Sequence, residues 1–498
     1  MQLQFEKQGI PCLQTVKREL QSQEQTQELR ISDGVPDIGS IIGAWGQVIV
    51  RGKEWQGDGF AVTGGTMVWV QYQPEEGGQP QWVESWLPFQ MRWNFPQSQP
   101  DGRILTQVLL DSVDARVLSS RKMMLRTNVS ALGWAMVKQE QEVFAPKEIP
   151  EDVQLRREQY PMELPVEIGE KAFALEDTLE LPPSAPSVEE VLRYSLQPEI
   201  TEEKMMADKV VFRGNAVLYL VYRSEDGGEY SWQFDMPFTQ YSDLEGEYGE
   251  DARVQMLPCV TALEIDREGS RFHVKAGLVC QYRIRSISMV DVVTDAFSNR
   301  RTVTPSGQDL KLPGILEHKT QNLHIQHCTP LDAMRLTDVQ CMPQPVRVQR
   351  NGDETTLEIP GQFRTLYYDM DGTLCCGIHR WQEQLTIPTG EDTVVEALAW
   401  PAGKPQGTLM SGSAQLGCDL TVITETHSQT PIPMITGLEL GELQQPDPRR
   451  PSLILRRSGG QNVWELAKQH GSSQEAIRRA NGLDSEPEQS QMLLIPVM

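Results

Sequence analysis

Ala216-Val217-Leu218-Tyr219-Leu220-Val221-Tyr222, closed by Glu225-Asp226-Gly227-Gly228, decides the fold. The seven consecutive residues are aliphatic or aromatic, which predicts a strand. The acidic pair and double glycine predict a hairpin turn, because glycine reaches the positive φ that such turns need. The same pattern stands 150 residues earlier, as Thr66-Met67-Val68-Trp69-Val70-Gln71-Tyr72 followed by Glu75-Glu76-Gly77-Gly78.

Working outward, the register holds. Gly64 matches Gly214, Tyr72 matches Tyr222 and Trp82 matches Trp232, all at 150, and Pro88-Phe89 matches Pro237-Phe238 at 149. Upstream, Ile38, Ile41 and Ile42 follow Pro36 as Val188, Val191 and Leu192 follow Pro186. Their i, i+3, i+4 spacing predicts a short helix ahead of the hairpins. Further strands are expected at Met123–Trp134 and Arg271–Arg283. A divergent third copy begins near residue 306. Gly361 leads into Phe363–Tyr368 and the turn Asp369-Met370-Asp371-Gly372, and strands follow at Thr393–Trp400 and Ser413–Ile423. Constant register over such spans predicts tandem repeats. Trp82, Trp232, Tyr72 and Tyr222 read as core.

The last fifty residues differ in kind. Ser452–Arg457 reads as a strand, Asn462 with Glu465 as a capping box, and Val463, Leu466 and Ala467 as an apolar helical stripe. Ser472 with Glu475 caps a second helix, which Asn481-Gly482 ends, and Met492–Ile495 closes with a strand. The expected fold class is mainly β: three tandem β-rich repeats with short helices, then a small α+β (βααβ) module. The expected domains are 1–145, 146–305 with a proline-rich lead-in from Glu142 to Pro186, 306–440, a linker 441–451 around Gln444-Gln445-Pro446-Asp447-Pro448, and 452–498.

Charge narrows the function. The 498 residues hold 45 Lys+Arg against 69 Asp+Glu, a net of −24. Such a chain repels phosphate backbones, so nucleic acid is not an expected partner. The first twenty residues lack the apolar stretch of a secretory signal, and no run approaches the length of a membrane span, so no membrane insertion is expected. Eight cysteines without a C-x-x-C pair fit a reducing cytoplasm. Residues 449–498 hold seven basic and five acidic residues, a net of +2, leaving −26 on the rest. A basic module tethered to an acidic body suits an acidic protein surface.

No catalytic, cofactor or metal site is expected. Asp369-Met370-Asp371-Gly372-Thr373 resembles the first motif of haloacid-dehalogenase-type phosphatases, but that chemistry needs a downstream Lys and a second acidic cluster. The only lysine between this motif and the last linker is Lys404, and the repeat register places Asp371-Gly372 on a hairpin turn. His324, His327 and Cys328, with Cys341 beyond, match no usual zinc spacing, and Cys375-Cys376 would point to opposite strand faces. Gly46–Lys53 is one residue too long for a phosphate loop and precedes Glu54 instead of Ser/Thr.

Val463-Trp464-Glu465-Leu466-Ala467, Ala480-Asn481-Gly482-Leu483 and Leu493-Leu494-Ile495-Pro496 resemble a LysM module. LysM domains usually bind N-acetylglucosamine polymers. The family's Gly-Asp-Thr loop is here Gly460-Gln461-Asn462, which keeps the cap and loses the acid. The Gly64/Tyr72/Pro88-Phe89 framework and Leu118-Ser119-Ser120-Arg121-Lys122 resemble SPOCS domains. Tandem SPOCS domains ahead of one LysM resemble the SipL-type spore-coat morphogenetic family. The resemblance implies a mother-cell cytoplasmic scaffold at the forespore surface, whose LysM binds the stage IV sporulation coat ATPase and promotes coat assembly. It implies a protein-binding face on Trp464, Val463, Arg456, Arg457, Gln461, Asn462, Lys468, Arg478 and Asn481. Trp464 lies about 100° off the inward stripe, which predicts partial exposure and a contact role, the alternative being that it covers the small core. A peptidoglycan or N-acetylglucosamine binder of the envelope or cortex is the alternative, and an enzyme hidden in the repeats is the third reading.

Overall fold

The computed structural model describes residues 2–311, 314–390, 392–428, 431–445 and 449–497. Short β1 (Gln2–Gln4) precedes a first block of six strands: β2 (Glu6–Arg30), β3 (Ile38–Gln56), β4 (Gly59–Pro74), β5 (Gln81–Asn94), β6 (Arg103–Ser119) and β7 (Lys122–Ala145). They form two antiparallel sheets, ordered β3-β4-β5 and β2-β7-β6. The second block repeats this pairing. It holds β8 (Val153–Glu180), β9 (Val188–Met206), β10 (Lys209–Ser224), β11 (Glu229–Asp243), β12 (Arg253–Glu268) and β13 (Arg271–Ser298), in sheets β11-β10-β9 and β12-β13-β8.

After β14 (Val303–Lys311), a third set follows: β15 (Gly314–Pro330), β16 (Ala333–Pro343), β17 (Arg347–Asn351), β18 (Glu354–Asp369), β19 (Leu374–Pro388), β20 (Thr393–Met410) and β21 (Ser413–Ser428). Its sheets are β15-β21-β20 and β16-β18-β19, with β17 added beside β18. β22 (Pro431–Leu440) then pairs with both β1 and β14. The module at the end holds β23 (Leu453–Arg457), α1 (Val463–His470), α2 (Gln474–Asn481) and β24 (Met492–Pro496). Pro446, Asp447 and Pro448 of the expected linker lie outside the described residues.

The recurring glycine is explained by its cross-strand neighbour. Gly64 pairs with Phe89, Gly214 with Phe238 and Gly361 with Trp381. In each case the aromatic ring lies over the glycine. A Cβ would meet Phe89 Cζ at 2.8 Å, Phe238 Cζ at 2.4 Å and Trp381 Cζ2 at 2.1 Å. The buried tyrosines also recur in function: Tyr72 donates to the Pro36 carbonyl at 3.0 Å, and Tyr222 to that of Pro186 at 3.3 Å.

Two expectations are corrected. The short helices at Ile38–Ile42 and Val188–Leu192 are strands, β3 and β9. β3 carries register shifts at Ile38/Ser40 and Ile41/Gly43, and β9 has the equivalent pair against Val221–Ser224. Each bulge inserts one residue, so inward positions fall three apart and imitate a helix. β16 has the same two shifts, at Ala333/Arg335 and Leu336/Asp338. Among the described residues the helices are α1 and α2 alone. The proline-rich lead-in is also mostly a strand, β8. It lies at the edge of its sheet, where prolines are tolerated.

The three blocks close on one another. β3 packs on β12, β16 on β6, and β9 reaches β20, where Gln197 Nε2 donates to the Pro401 carbonyl at 2.6 Å. Gln281 of β13 grips the Thr106 peptide of β6 from both sides, donating to its carbonyl at 2.8 Å and accepting from its N–H at 3.0 Å. Gln107 Nε2 donates to Ala399 of β20 at 3.1 Å, and buried Arg364 of β18 donates to Val113 of β6 at 2.8 Å. Each block therefore touches the other two.

Candidate functional site: the C-terminal module and the block seam

The module is built by capping and one small core. Asn462 accepts from Glu465 N at 2.8 Å, and Glu465 accepts from Asn462 N at 3.3 Å. Ser473, not the expected Ser472, caps α2, accepting from Ala476 N at 3.0 Å. Gly471 and Gly482 end the helices with φ of 63° and 61°. Val463, Leu466, Ala467, Ile477, Leu493 and Ile495 are fully buried between the helices and the inner face of the two-stranded β23-β24 sheet.

The proposed contact residues do not share one face. Val463 is core. Asn481 is a brace: it donates to the Ile477 and Leu494 carbonyls and accepts from Leu494 N at 2.7 Å, tying α2 to β24. Arg456 donates to Gln469 at 3.0 Å and meets His470 Nε2 at 2.7 Å. Burial and the Arg456 charge push the His470 pKa down, so its imidazole is suited to accept. Gln461 reaches Gln469 at 3.4 Å, Arg478 pairs with Glu486, and Arg457 is exposed on β23.

The expected exposure of Trp464 is corrected: it is 5% exposed. Its ring meets Phe297 of β13 edge-on at 4.8 Å, and its Nε1 donates to Asp295 at 2.8 Å. Lys468 pairs with the same carboxylate at 2.7 Å. Burial raises the Asp295 pKa, but the Lys468 and Trp464 hydrogen bonds outweigh it and leave the carboxyl below its ordinary value. Gln154 of β8 completes the contact, donating to the Ser472 carbonyl at 2.9 Å and accepting from Gln474 N at 3.2 Å. The residue that looked like a free border position is covered by the second block. That cover comes from residues 169 positions away, which no local pattern reports.

Sequence reasoning also missed a charged seam where all three blocks meet. Glu425 of β21 accepts from Arg283 at 2.9 Å and Arg285 at 2.8 Å, both on β13, and lies 3.3 Å from His318 Nδ1 on β15. Glu396 of β20 pairs with Arg18 of β2 at 3.4 Å. The seam borders a cleft of about 600 Å³, also lined by Glu163 and His427. Burial opposes ionisation of Glu425, but the His318 hydrogen bond, the nearby His427 ring at 3.6 Å and the two arginine charges hold its pKa far below the carboxylate range. Burial and the adjacent Arg283 charge lower Arg285 to about 10. Glu396, Glu425 and His427 lie close enough to share a cation. The guanidinium groups already neutralise these carboxylates, so the donor set suits an ion-pair network better than a metal.

Asp369 holds its own turn, accepting from Asp371 N at 3.0 Å and Thr373 N at 2.8 Å. His324 faces Asp419 at 2.6 Å, while His327 packs near the Phe363 ring and Cys341 is buried, so the histidine–cysteine set does not converge.

Residues 187–266 match the family model described as SipL, SPOCS domain. The matched stretch runs over β9 to β12 of the second block. The SPOCS match supports a SipL-type protein and a sporulation-related role. No curated protein and no solved structure matches the chain. Among the described residues no helix is long and apolar enough to cross a membrane.

Proposed function

We propose that this chain is a non-enzymatic scaffold of spore-coat assembly, with three SPOCS-type blocks carrying a LysM-type C-terminal module. The module recruits or tethers the stage IV sporulation coat ATPase at the forespore surface, in the mother-cell cytoplasm. The observation that carries this reading is the SPOCS match on residues 187–266, which falls on strands whose pairing recurs in the first and third blocks. The βααβ order and the basic bias of residues 449–498 support a LysM-type module aimed at an acidic protein surface.

The test offers the purified chain two ligands, the ATPase and N-acetylglucosamine oligomers, in a titration at physiological salt. Saturable binding of the ATPase with none of the sugar is expected. Sugar binding without ATPase binding would establish the envelope or cortex reading instead. Disrupting the gene in the source organism should leave vegetative growth intact and leave forespores without an attached coat.

A further inference from the structure

The outer face of the two-stranded β23-β24 sheet is bare. Leu455 pairs with Leu494, Leu453 with Pro496 and Arg457 with Met492, and alternation puts all six on the side away from the helices. Leu455 is 63% exposed, Leu453 52%, Met492 48% and Leu494 37%. Four large apolar side chains on one sheet face of so small a unit mark an interaction surface. Its charge is positive, with Arg457 on the face itself.

A patch of opposite sign lies on the body. Met334 at the start of β16 is 56% exposed, and Met370 in the β18-β19 turn is 59% exposed. Met334 Cε sits 3.8 Å from the position of a Cβ on Gly372, so the two methionines border one turn. Around them stand exposed Asp332 and Asp371, and the Glu225-Asp226 turn of the second block. That turn is joined to the patch through Tyr230, which donates to Asp226 at 2.9 Å and lies under Arg335 at 4.9 Å.

We propose that these two surfaces take each other: the basic apolar β23-β24 face of one copy docks on the acidic methionine patch of a second copy. The argument is charge and apolar complementarity between two faces of the same chain. Because the faces differ, the contact is head-to-tail and leaves one of each free, so it propagates instead of closing as a two-fold dimer. The inference stands apart from the sporulation reading, since its readout is self-association of the pure protein.

The experiment is sedimentation velocity on the full chain across the micromolar range, with Leu455→Glu and Met370→Glu. Both side chains are exposed, and unchanged circular dichroism verifies the fold. The wild type is expected to form species beyond the dimer as concentration rises, and added salt should shrink them. Each variant alone should be monomeric. An equimolar mixture should form a dimer, because the Leu455→Glu chain keeps the patch and the Met370→Glu chain keeps the β23-β24 face. A wild type that stays monomeric, variants that associate like it, or a mixture that stays monomeric would each overturn the proposal.

Discussion

Replacing Glu425 with glutamine removes one negative charge and keeps the shape. The side chains of Glu425, Arg283 and Arg285 are 4%, 3% and 8% exposed, so solvent cannot take over the lost pairing. Arg283 retains Glu396 at 3.9 Å, while Arg285 loses its close carboxylate. Breaking a buried pair by removing one partner costs roughly 3–5 kcal/mol. For a unit of about 150–250 residues that lowers Tm by roughly 6–20 °C. The acid side carries a second signature. A carboxyl whose folded pKa is depressed contributes stability above its unfolded pKa and loses it as pH falls toward the folded one. The wild-type advantage over Glu425→Gln should thus be full at neutral pH and shrink on acidification below the ordinary carboxylate range. Calorimetric melts from pH 7 to pH 3 measure both. A Tm drop of only a degree or two at pH 7, or a gap that does not narrow in acid, would refute the seam as the clamp between blocks.

Three other outcomes are expected. Burial raises the Asp111 pKa to about 6 against the Ser130 hydrogen bond and the Arg347 charge, so its stabilising contribution is present below about pH 4 and lost as pH rises through 6. Asp111→Asn should therefore be more stable than the wild type above that range, by on the order of 2–3 kcal/mol in urea titrations, and lose the gain near pH 4. Gly214→Ala places a Cβ 2.2 Å from the Glu199 carbonyl oxygen and 2.4 Å from Phe238 Cζ, and should cost about 1–3 kcal/mol in the same titration. Asp295→Ala strands the Trp464 N–H and frees Lys468; hydrogen exchange across residues 463–470 should accelerate while the second block stays protected, and unchanged exchange would show that the contact holds nothing.

The hairpins were legible because their signals are local: apolar alternation, acidic-glycine turns, and a glycine whose aromatic partner lies across one strand. The Ile38 and Val188 segments misled for a stated reason, since two bulges in a strand give the spacing of a helix turn. Glu6–Arg30 went unread because it is an edge strand rich in Gln and Glu, with one weakly apolar face. In the module, the caps and stripes at Asn462, Val463 and Leu466 were visible along the helices. The cover over Trp464 and the seam at Glu425 were not, because their partners lie more than a hundred residues away and no periodicity links them.

Mutual closure of the three blocks sets limits on how such a chain can change over time. An open solenoid tolerates gain or loss of a unit, since every internal copy sees the same neighbours. Here each unit is wedged between the other two, so dropping or duplicating one would strip its companions of their lining at Gln281, Gln107 and Arg364. A change of copy number would therefore cost the remaining blocks buried contacts, and change is cheapest at the hairpin tips and in the small appended tail.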